Sequence, residues 1–317
     1  MNFIEDFKNN LLNINEANFE THALSLYEFQ YHHNAIYREF CDAINKSPYR
    51  VKLFRDIPFL PIEFFKKHTI VASDSPTEQV FQSSGTTSAT RSQHHIKDIS
   101  FYHTLSKHIF QETFGSLRQH QMLALLPSYL EQGDSSLISM VDHLIKEANK
   151  DSGYYLDKDV STLLQSDKNK ILIGVSYALL DLPSVETRNL TVIETGGMKG
   201  RKKEITRDDL HAQLKGKLGV HKIWSEYGMT ELLSQAYGVN GEFKFPSWAT
   251  VRIREINDPF AYLSAGKAGG INVIDLANIE SCAFIETKDI GIVQKNGKFA
   301  VLGRMDNSDI RGCSLLV

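Results

Sequence analysis

Small hydroxylated residues, a glycine and an arginine come together from Ser83 to Arg91, in the sequence Ser-Ser-Gly-Thr-Thr-Ser-Ala-Thr-Arg. This composition disfavours a helix or a strand and suits a loop that binds phosphate. Glycine lets backbone N–H groups approach an anion, hydroxyl groups add donors in little space, and the guanidinium adds a forked cation. The residues predicted to contact phosphate are Ser83, Ser84, Gly85, Thr86, Thr87 and Arg91. On composition alone a solvated surface loop is favoured instead, and motifs further along the chain reverse that preference.

Two adjacent glycines, Gly196 and Gly197, follow the apolar run Leu190-Thr-Val-Ile-Glu-Thr195. Ligands of parallel sheets bind at the carboxyl ends of the strands, so exposed backbone at this point predicts a ligand contact. A tight turn explains the two glycines equally well.

The segment Trp224-Ser-Glu-Tyr-Gly-Met-Thr-Glu231 comes after the next predicted strand. Tyr227 offers a flat face for a base, Thr230 a hydroxyl for phosphate, and Glu231 a hard oxygen ligand for Mg²⁺. Alternatively, Thr230 caps a helix that continues through the two leucines after Glu231. Both interpretations can hold together.

Two polar positions near predicted strand ends complete the set of candidates. Asp289 could accept hydrogen bonds from both hydroxyls of a ribose, and Arg304 follows Gly303 at the end of the last predicted strand. Taken singly, each is better explained as part of an ordinary polar turn.

Hydrophobic periodicity predicts the elements that must position these residues. The spacing is helical over residues 3–46, and strands and helices alternate from 78 to 245, which predicts a mostly parallel sheet covered on both faces. After residue 245 the pattern favours a small antiparallel β unit. The predicted fold class is therefore α/β, with a helical segment at 1–77, an α/β core at 78–245, and a β unit with a short tail at 246–317.

The same periodicity predicts the bounds of the individual strands and helices. Strands are predicted at 79–82, 122–127, 170–175, 190–195, 221–224, 250–256, 270–274, 283–286, 291–293 and 299–302. Helices within the core are predicted at 102–117, 135–149 and 207–218.

Composition excludes several classes of protein. The chain has 317 residues, of which 42% are hydrophobic and 23% charged, as is typical of a globular protein. Its net charge is −3 and it has no long run of Lys or Arg, and these two properties argue against nucleic-acid binding. No apolar run reaches the roughly 20 residues of a membrane span. The cysteines Cys41, Cys282 and Cys313 are too far apart for a metal motif or a disulfide framework, so we expect a reducing, cytoplasmic location, with Cys282 in the core.

Five motifs in order along the chain resemble the core motifs of the adenylate-forming acyl-activating superfamily. They are Ser83–Thr87, Gly196–Gly197, Tyr227–Glu231, Thr287–Asp289 and Gly303–Arg304. The resemblance spans residues 83–306, and Tyr-Gly-Met-Thr-Glu is its most specific part. Within the superfamily the chain is similar to the LuxE/PaaK group, and most of all to the LuxE acyl-protein synthetases. The segments that carry this similarity are Ile57–Lys66, Leu126–Glu131, Ser135–Leu137 and Arg311–Leu315.

This resemblance implies a fold and a ligase reaction in two halves. The implied fold is the large domain of an adenylate-forming enzyme, closed by an antiparallel β unit. A carboxylic acid, expected to be a fatty acid, is activated by Mg·ATP to an acyl-adenylate, and the acyl group then passes to a protein thiol. The expected recipient is a partner protein such as a fatty-acid reductase.

The resemblance also implies roles for the motif residues. By the family pattern, Ser83 to Thr87 wrap the phosphates, Thr230 contacts the α-phosphate, and Glu231 holds Mg²⁺. Gly196 and Gly197 border the adenine, and Tyr227 stacks on it with Gly228 beside it. Asp289 binds the ribose, and Arg304 lies near the hinge.

The chain departs from the family pattern in two places. Ser88 stands where the phosphate loop usually has a glycine, and Arg91 where it has a lysine, which alters the geometry of the phosphate contact. We also expect the mobile C-terminal domain, which carries a catalytic lysine, to be absent. Arg91, Lys199, Arg201 or a partner would then supply the missing cation.

Cys313 is the expected acyl acceptor, because in enzymes of this type a cysteine near the C-terminus plays that part. Arg311 would favour its thiolate, and the alternative is an inert cysteine.

Two other functions remain open. One is an acyl-CoA ligase of the phenylacetate type, in which Cys313 is dispensable. The other is a nucleotide-binding docking subunit without chemistry.

Overall fold

A computed structural model describes residues 2–83, 90–127, 133–156, 159–196 and 205–305. Its helices, in chain order, are α1 (Phe3–Asn10), α2 (Phe19–His33), α3 (Ala35–Ala43), α4 (Phe64–Lys67), α5 (Ile99–Phe114), α6 (Ser136–Glu147), α7 (Ser161–Gln165), α8 (Ser176–Asp181) and α9 (Arg207–Leu218). Short 3₁₀ turns cover Leu11–Asn13, Phe54–Asp56 and Leu117–Gln119.

The strands are, in the same order, β1 (Leu60–Pro61), β2 (Gln79–Gln82), β3 (Gln93–Ile96), β4 (Gln121–Leu125), β5 (Gly153–Tyr154), β6 (Lys170–Gly174), β7 (Leu190–Glu194), β8 (Trp224–Tyr227), β9 (Ala236–Val239), β10 (Glu242–Lys244), β11 (Ala249–Arg254), β12 (Ala268–Asp275), β13 (Phe284–Val293) and β14 (Phe299–Arg304).

The chain divides into two compact units. The first unit contains Met1–Pro76, Ser92–His95 and Lys244–Val317, and the second contains Thr77–Arg91 and Ile96–Phe243. The N-terminal helices and the C-terminal strands thus belong to one unit, and the α/β region forms the other.

The second unit is built on a sheet with the strand order β10-β9-β8-β7-β6-β4-β5. Strands β4 to β8 run parallel to one another, and β9 is antiparallel to β8. Every residue of β4 and β6 is buried, which explains their nearly continuous apolar sequences, because a parallel sheet is covered on both faces. The carboxyl ends of β4, β6, β7 and β8 therefore meet at one edge.

Helix α9 covers part of this sheet. Leu210, Leu214 and Leu218 recur at helical spacing and pack in one apolar cluster with Leu172 and Val192 of the strands. The helix begins where Thr206 Oγ1 accepts a hydrogen bond from the backbone N–H of Asp209 at 3.1 Å, and it ends at Gly219 with φ of 63°. These caps give α9 the bounds that the sequence predicts.

The first unit is an antiparallel sheet with the order β11-β12-β13-β14, and β1 pairs with β13 in parallel. Helix α2 is joined to it through Gln30, which is fully buried. Its Nε2 donates to the carbonyls of Asn278 and Ile279 at 2.8 and 2.9 Å, and its Oε1 accepts from Ala283 N at 3.0 Å. A polar side chain is stable at this depth because these bonds satisfy it.

Several predicted elements differ from the structure, and the helix expected at 102–117 is α5, at Ile99–Phe114. The strand expected at 221–224 begins at Trp224 and continues to Tyr227, because Trp224 pairs with Ile193 of β7 on one side and Val239 of β9 on the other. A helix after Thr230 is wrong: the chain makes a turn and returns as β9. The strands predicted at 283–286 and 291–293 are one strand, β13, whose register shifts after Ile290.

Among the described helices, none combines the length and the apolar character needed to cross a bilayer.

Candidate active site

A cavity of about 550 Å³ opens in the second unit at the carboxyl ends of the parallel strands. Residues after β4, β6, β7 and β8 form one side of it, and Tyr102 of α5 and the first turn of α6 line it as well. The residues that follow the strands are Leu126, Pro127, Val175, Tyr177, Thr195, Gly228, Met229 and Thr230. This is the edge at which parallel sheets bind their ligands.

Asp134 anchors both ends of the predicted phosphate loop beside this cavity. Its backbone carbonyl accepts a hydrogen bond from Gln82 N at 2.8 Å, and its Oδ2 lies 3.5 Å from Nη1 of Arg91. Gln82 lines the cavity, so Ser83 begins next to its wall. Ser84, Gly85, Thr86 and Thr87 lie outside the described residues.

The turn after β7 exposes backbone at Gly196. Its φ is 76°, a conformation that favours glycine, and a Cβ placed there would meet no described atom within 4 Å. The Gly196 N–H donates to Glu194 Oε2 at 2.8 Å, and its carbonyl accepts from Ser176 N at 2.8 Å. The turn is therefore fixed by hydrogen bonds, and no atom of the described ranges fills the space on its glycine face. Gly197, Lys199 and Arg201 lie outside the described residues.

Glu194 is a buried carboxylate below this turn, with only 4% of its surface exposed. Arg207 Nε and His211 Nε2, both on α9, lie 3.7 Å from its Oε1, and Ser176 Oγ donates to its Oε2 at 3.3 Å. Burial acts to raise the pKa of Glu194, but hydrogen bonds from His211, Ser225 and the Gly196 N–H, with the charge of Arg207, outweigh it and lower the pKa. Glu194 is therefore held as a carboxylate.

Tyr227 has one side of its ring supported by a second aromatic residue. The ring centroids of Tyr227 and Phe243 are 5.7 Å apart, and the guanidinium of Arg207 lies 5.2 Å from the Phe243 ring. Arg207 thus lies near both the Glu194 carboxylate and the Phe243 ring.

The motif residues after β8 form a turn rather than a helix. Leu232 N donates to the carbonyl of Met229 at 3.1 Å, and Met229 and Thr230 line the cavity. Glu231 is 4% exposed, so most of its side chain lies in the interior.

Glu226 and Gln235 are two polar residues of the cavity wall that the motifs do not include. Both line the cavity, and both approach Gly228: a Cβ on Gly228 would collide with Glu226 Oε1 and lie 3.6 Å from Gln235 Cγ. Burial, and to a lesser degree the like charge of Glu194, raises the pKa of Glu226 to about 8. Glu226 is therefore mostly protonated at neutral pH.

Asp289 and Arg304 lie in the first unit, and the structure places them opposite each other on β13 and β14. Arg304 Nε is 4.0 Å from Asp289 Oδ1, and Asp289 N donates to Thr287 Oγ1 at 3.1 Å. The motif Thr287–Asp289 is thus braced by its own threonine, and its aspartate faces the arginine of the next motif.

The described cysteines are both in the core. Cys282 is fully buried, as predicted, and burial raises the pKa of its thiol to about 12. Cys41 is also fully buried. Neither presents a thiolate at neutral pH, and Cys313 lies outside the described residues.

Sequence reasoning missed Glu194, Arg207, His211, Glu226 and Gln235. A signal existed for the two glutamates, since each is the one charged residue of its strand, and a carboxyl is rarely buried unless it has a partner. Arg207 and His211 carried no such signal, because they lie on a helix whose polar positions read as solvent-exposed.

The sequence of this chain is similar to one protein family and to one characterised protein. Residues 11–125 match the family described as acyl-protein synthetase, LuxE. The chain is also 25% identical over 324 residues to the long-chain-fatty-acid–luciferin-component ligase of Vibrio harveyi, covering 91% of this chain and 84% of that protein.

Solved structures match the fold. ATP-bound MatB from Rhodopseudomonas palustris aligns with a TM-score of 0.54 and 16% identity, over 73% of this chain and 49% of that one. The O-succinylbenzoate coenzyme A synthetase MenE from Bacillus subtilis, in complex with ATP and magnesium, aligns with a TM-score of 0.53 and 17% identity, over 73% and 51%. The chain spans about half the length of these enzymes. The expected α/β fold of an adenylate-forming enzyme is confirmed.

Proposed function

We propose that this chain, which resembles the LuxE group of adenylate-forming ligases, activates a carboxylic acid with Mg·ATP and transfers the acyl group to a protein thiol. The cavity at the carboxyl ends of β4, β6, β7 and β8 carries this proposal. It is lined by Gly228, Met229 and Thr230 of the Tyr-Gly-Met-Thr-Glu turn, by Gln82, which precedes the predicted phosphate loop, and by Thr195, which precedes Gly196.

The residues around this cavity fit a nucleotide. The glycine face of Gly196 leaves room for a base, and Phe243 supports the Tyr227 ring on which the base would stack. Thr230 lines the cavity and offers a hydroxyl to the α-phosphate. Ser83 to Thr87 and Arg91 would hold the outer phosphates, and Asp289 the ribose, by resemblance to the family.

Glu231 is the residue proposed to hold Mg²⁺, which would neutralise phosphate charge as pyrophosphate leaves. One protein carboxylate is enough for this ion, since Mg²⁺ in such sites takes most of its other ligands from phosphate and water. No group of three or more His, Cys, Asp or Glu side chains within the described ranges is arranged to bind a metal by itself.

The first half-reaction forms a mixed anhydride. A carboxylate oxygen of the acid attacks the α-phosphorus of ATP, the bond from that phosphorus to the bridging oxygen breaks, and pyrophosphate leaves with the electron pair. Arg91 and the loop hydroxyls would stabilise the charge that develops on the phosphates. The acid would occupy the cavity next to Gly228, where Leu126, Ile138 and Met140 provide an apolar lining for its chain.

The second half-reaction moves the acyl group to sulfur. The thiolate of Cys313 attacks the acyl carbon, the bond from that carbon to the AMP oxygen breaks, and AMP leaves. The thiol proton is released before attack, and Arg311 favours that ionisation. A protein such as a fatty-acid reductase would then accept the acyl group from Cys313.

Labelling of the protein tests this proposal. Incubation with labelled fatty acid and Mg·ATP should leave label on the denatured protein that neutral hydroxylamine removes, as expected of a thioester. Cys313→Ser should abolish the label and keep acid-dependent pyrophosphate release. Cys282→Ala is the matched control, because its buried thiol cannot accept the acyl group, and it should keep the label.

Other results would identify the other functions. Label that persists in Cys313→Ser removes that cysteine from the reaction. Formation of acyl-CoA without protein label would favour the coenzyme A ligase, a function supported by the shared fold with MenE. Absence of pyrophosphate release with every acid would favour a docking subunit.

A further inference from the structure

We infer that Glu226 binds the carboxylate of the acid substrate, by donating a hydrogen bond from its own protonated carboxyl group to one carboxylate oxygen. This inference rests on the proposed function, since it takes the cavity as the place where the acid meets the nucleotide. It assigns a substrate contact to a residue that lies outside the motifs.

Glu226 carries the one carboxyl group among the described residues that line the cavity, and no Lys, Arg or His is among them. It lies on β8, and its Oε1 lies in the space that a Cβ on Gly228 would fill. Thr230, the proposed contact of the α-phosphate, lines the same cavity two residues beyond Gly228. An acid that attacks the α-phosphorus must therefore bring its carboxylate to this part of the wall.

The carboxyl group of Glu226 has hydrogen-bonding capacity to spare. No hydrogen bond or ion pair joins it to a residue of the described ranges, and part of the residue remains exposed. The neighbouring carboxylate of Glu194 differs in this respect, because Arg207 and His211 lie 3.7 Å from its Oε1. Of the two glutamates, Glu226 is thus the one whose carboxyl is available to a ligand in the cavity.

The groups around Glu226 keep this carboxyl protonated. Its charge interacts with Glu194 of β7, Tyr102 of α5 and Tyr237 of β9, none of which is a cation. Burial, with a smaller contribution from the like charge of Glu194, raises the pKa of Glu226 to about 8. Burial also raises the pKa of both tyrosines, so they stay neutral. At neutral pH Glu226 therefore offers an O–H donor to the cavity.

A neutral carboxyl is the form that a carboxylate can approach. An ionised Glu226 would repel both the acid and the phosphates, whereas its O–H group donates a charge-assisted hydrogen bond to an oxyanion. The donor takes one oxygen of the acid and leaves the other free to attack the α-phosphorus. The proton stays on Glu226 throughout, and the oxygen that accepts it becomes the carbonyl oxygen of the mixed anhydride.

Proton uptake on binding of the acid tests the inference. Dodecanoate, below its critical micelle concentration, is titrated by calorimetry into protein saturated with Mg²⁺ and α,β-methylene-ATP, which cannot release pyrophosphate. Buffers of different ionisation enthalpy report the protons exchanged. Near pH 9 free Glu226 is mostly ionised, so about one proton should be taken up for each acid bound. Near pH 6 Glu226 already holds its proton, and uptake should be close to zero.

Two variants assign this proton to Glu226. Glu226→Gln keeps a donor but cannot ionise, so it should bind dodecanoate at pH 7 with an affinity close to that of the wild type and take up no proton at pH 9. Glu226→Leu has no donor, so it should weaken dodecanoate binding by about ten- to a hundredfold and leave the affinity for the ATP analogue unchanged. Glu112→Gln is the matched control, because this exposed carboxylate on α5 pairs with His108, and it should keep the proton uptake of the wild type.

Three outcomes would overturn the inference. They are binding without proton uptake at pH 9, equally tight binding of dodecanoate by Glu226→Leu, and no binding of dodecanoate at any pH. Acid activation stands in each case if pyrophosphate release still depends on the acid. The proposed function fails separately, if dodecanoate binds with proton uptake but no acid supports pyrophosphate release.

Discussion

Arg91, at the end of the predicted phosphate loop, forms an ion pair with Asp134 of the same unit. Its ion pair with Asp134 is 3.5 Å long, with side chains that are 43% and 41% exposed. A pair this exposed contributes at most about 1 kcal/mol, so its energy does not prevent Arg91 from turning to a phosphate. A charge-assisted hydrogen bond to phosphate is worth more, about 1.5–3 kcal/mol.

We predict that Arg91→Ala lowers kcat/KM for Mg·ATP by about ten- to a hundredfold, the kinetic equivalent of that bond. The measurement is pyrophosphate release at a fixed, saturating acid concentration. Arg188→Ala, which removes an arginine from an exposed pair with Asp167, is the control and should be neutral. Equal activity of Arg91→Ala and wild type would show that another cation serves the phosphates.

Glu226 gives the stability of the protein a distinctive pH dependence. Its pKa rises from an ordinary 4.5 to about 8 in the folded state, chiefly through burial. Between these values the folded protein retains a proton that the unfolded chain has released. Stability from this group is therefore complete below about pH 4.5 and is lost as the pH rises towards 8.

We predict that the free energy of unfolding of Glu226→Gln falls less between pH 5 and 8 than that of the wild type, since an amide does not ionise. The difference should grow by no more than about 1.4 kcal/mol per pH unit. Urea unfolding across this range measures it. Parallel curves for the two proteins would mean that Glu226 titrates normally. Glu194, whose pKa is lowered, affects stability only in more acid solution, so the two effects are separate.

At the scale of elements, the turn after β7 depends on a backbone conformation. Gly196 has φ of 76°, and a Cβ there would meet no atom of the described residues within 4 Å, so the cost of alanine comes from the backbone conformation. Gly216 lies within α9, where the backbone is helical, and a Cβ on it would also meet no atom of the described residues within 4 Å.

We predict opposite signs for alanine at these two glycines. Gly196→Ala should lower the free energy of unfolding by about 1 kcal/mol or more and weaken Mg·ATP binding, because the strained turn shifts. Gly216→Ala should raise it by up to about 1 kcal/mol and leave nucleotide binding unchanged. Thermal unfolding and nucleotide titration measure both effects. Equal stability changes would contradict the role of φ at Gly196.

Elements whose limits are local in sequence could be predicted, and those decided by distant pairing could not. Thr206 and Gly219 bound α9 within the chain itself, so its bounds were predictable. The shift of β8 towards Tyr227 depends on Ile193 and Val239, which no local pattern reveals. The fusion of two predicted strands into β13 likewise depends on β12 and β14, which pair along it on either side.

The residues of the candidate site likewise divide into those that the local sequence predicts and those that depend on distant pairing. Gly196 and Thr230 were predictable because their residue types suit backbone exposure and phosphate contact. Glu226 and Gln235 were not, because the part of the wall that they share depends on the antiparallel return of β9, where the sequence suggested a helix.

At the scale of the whole molecule, a bound nucleotide should stabilise the fold. We predict that Mg·ATP at a hundred times its dissociation constant adds about 2.7 kcal/mol to the free energy of unfolding, which raises the melting temperature by several degrees. ATP with a metal chelator should stabilise the protein less than Mg·ATP does. The Tyr227→Ala variant should need a higher concentration of Mg·ATP for the same stabilisation. No shift with Mg·ATP at any concentration would argue against a nucleotide site.

The absent Cβ of Gly228 links the identities of two positions in the chain. Glu226 Oε1 lies in the space that a Cβ would fill, and it is the end of a flexible side chain, so a larger residue at position 228 requires the side chain at 226 to turn away. Among related proteins, substitutions at position 228 should therefore be accompanied by a shorter or differently oriented side chain at position 226.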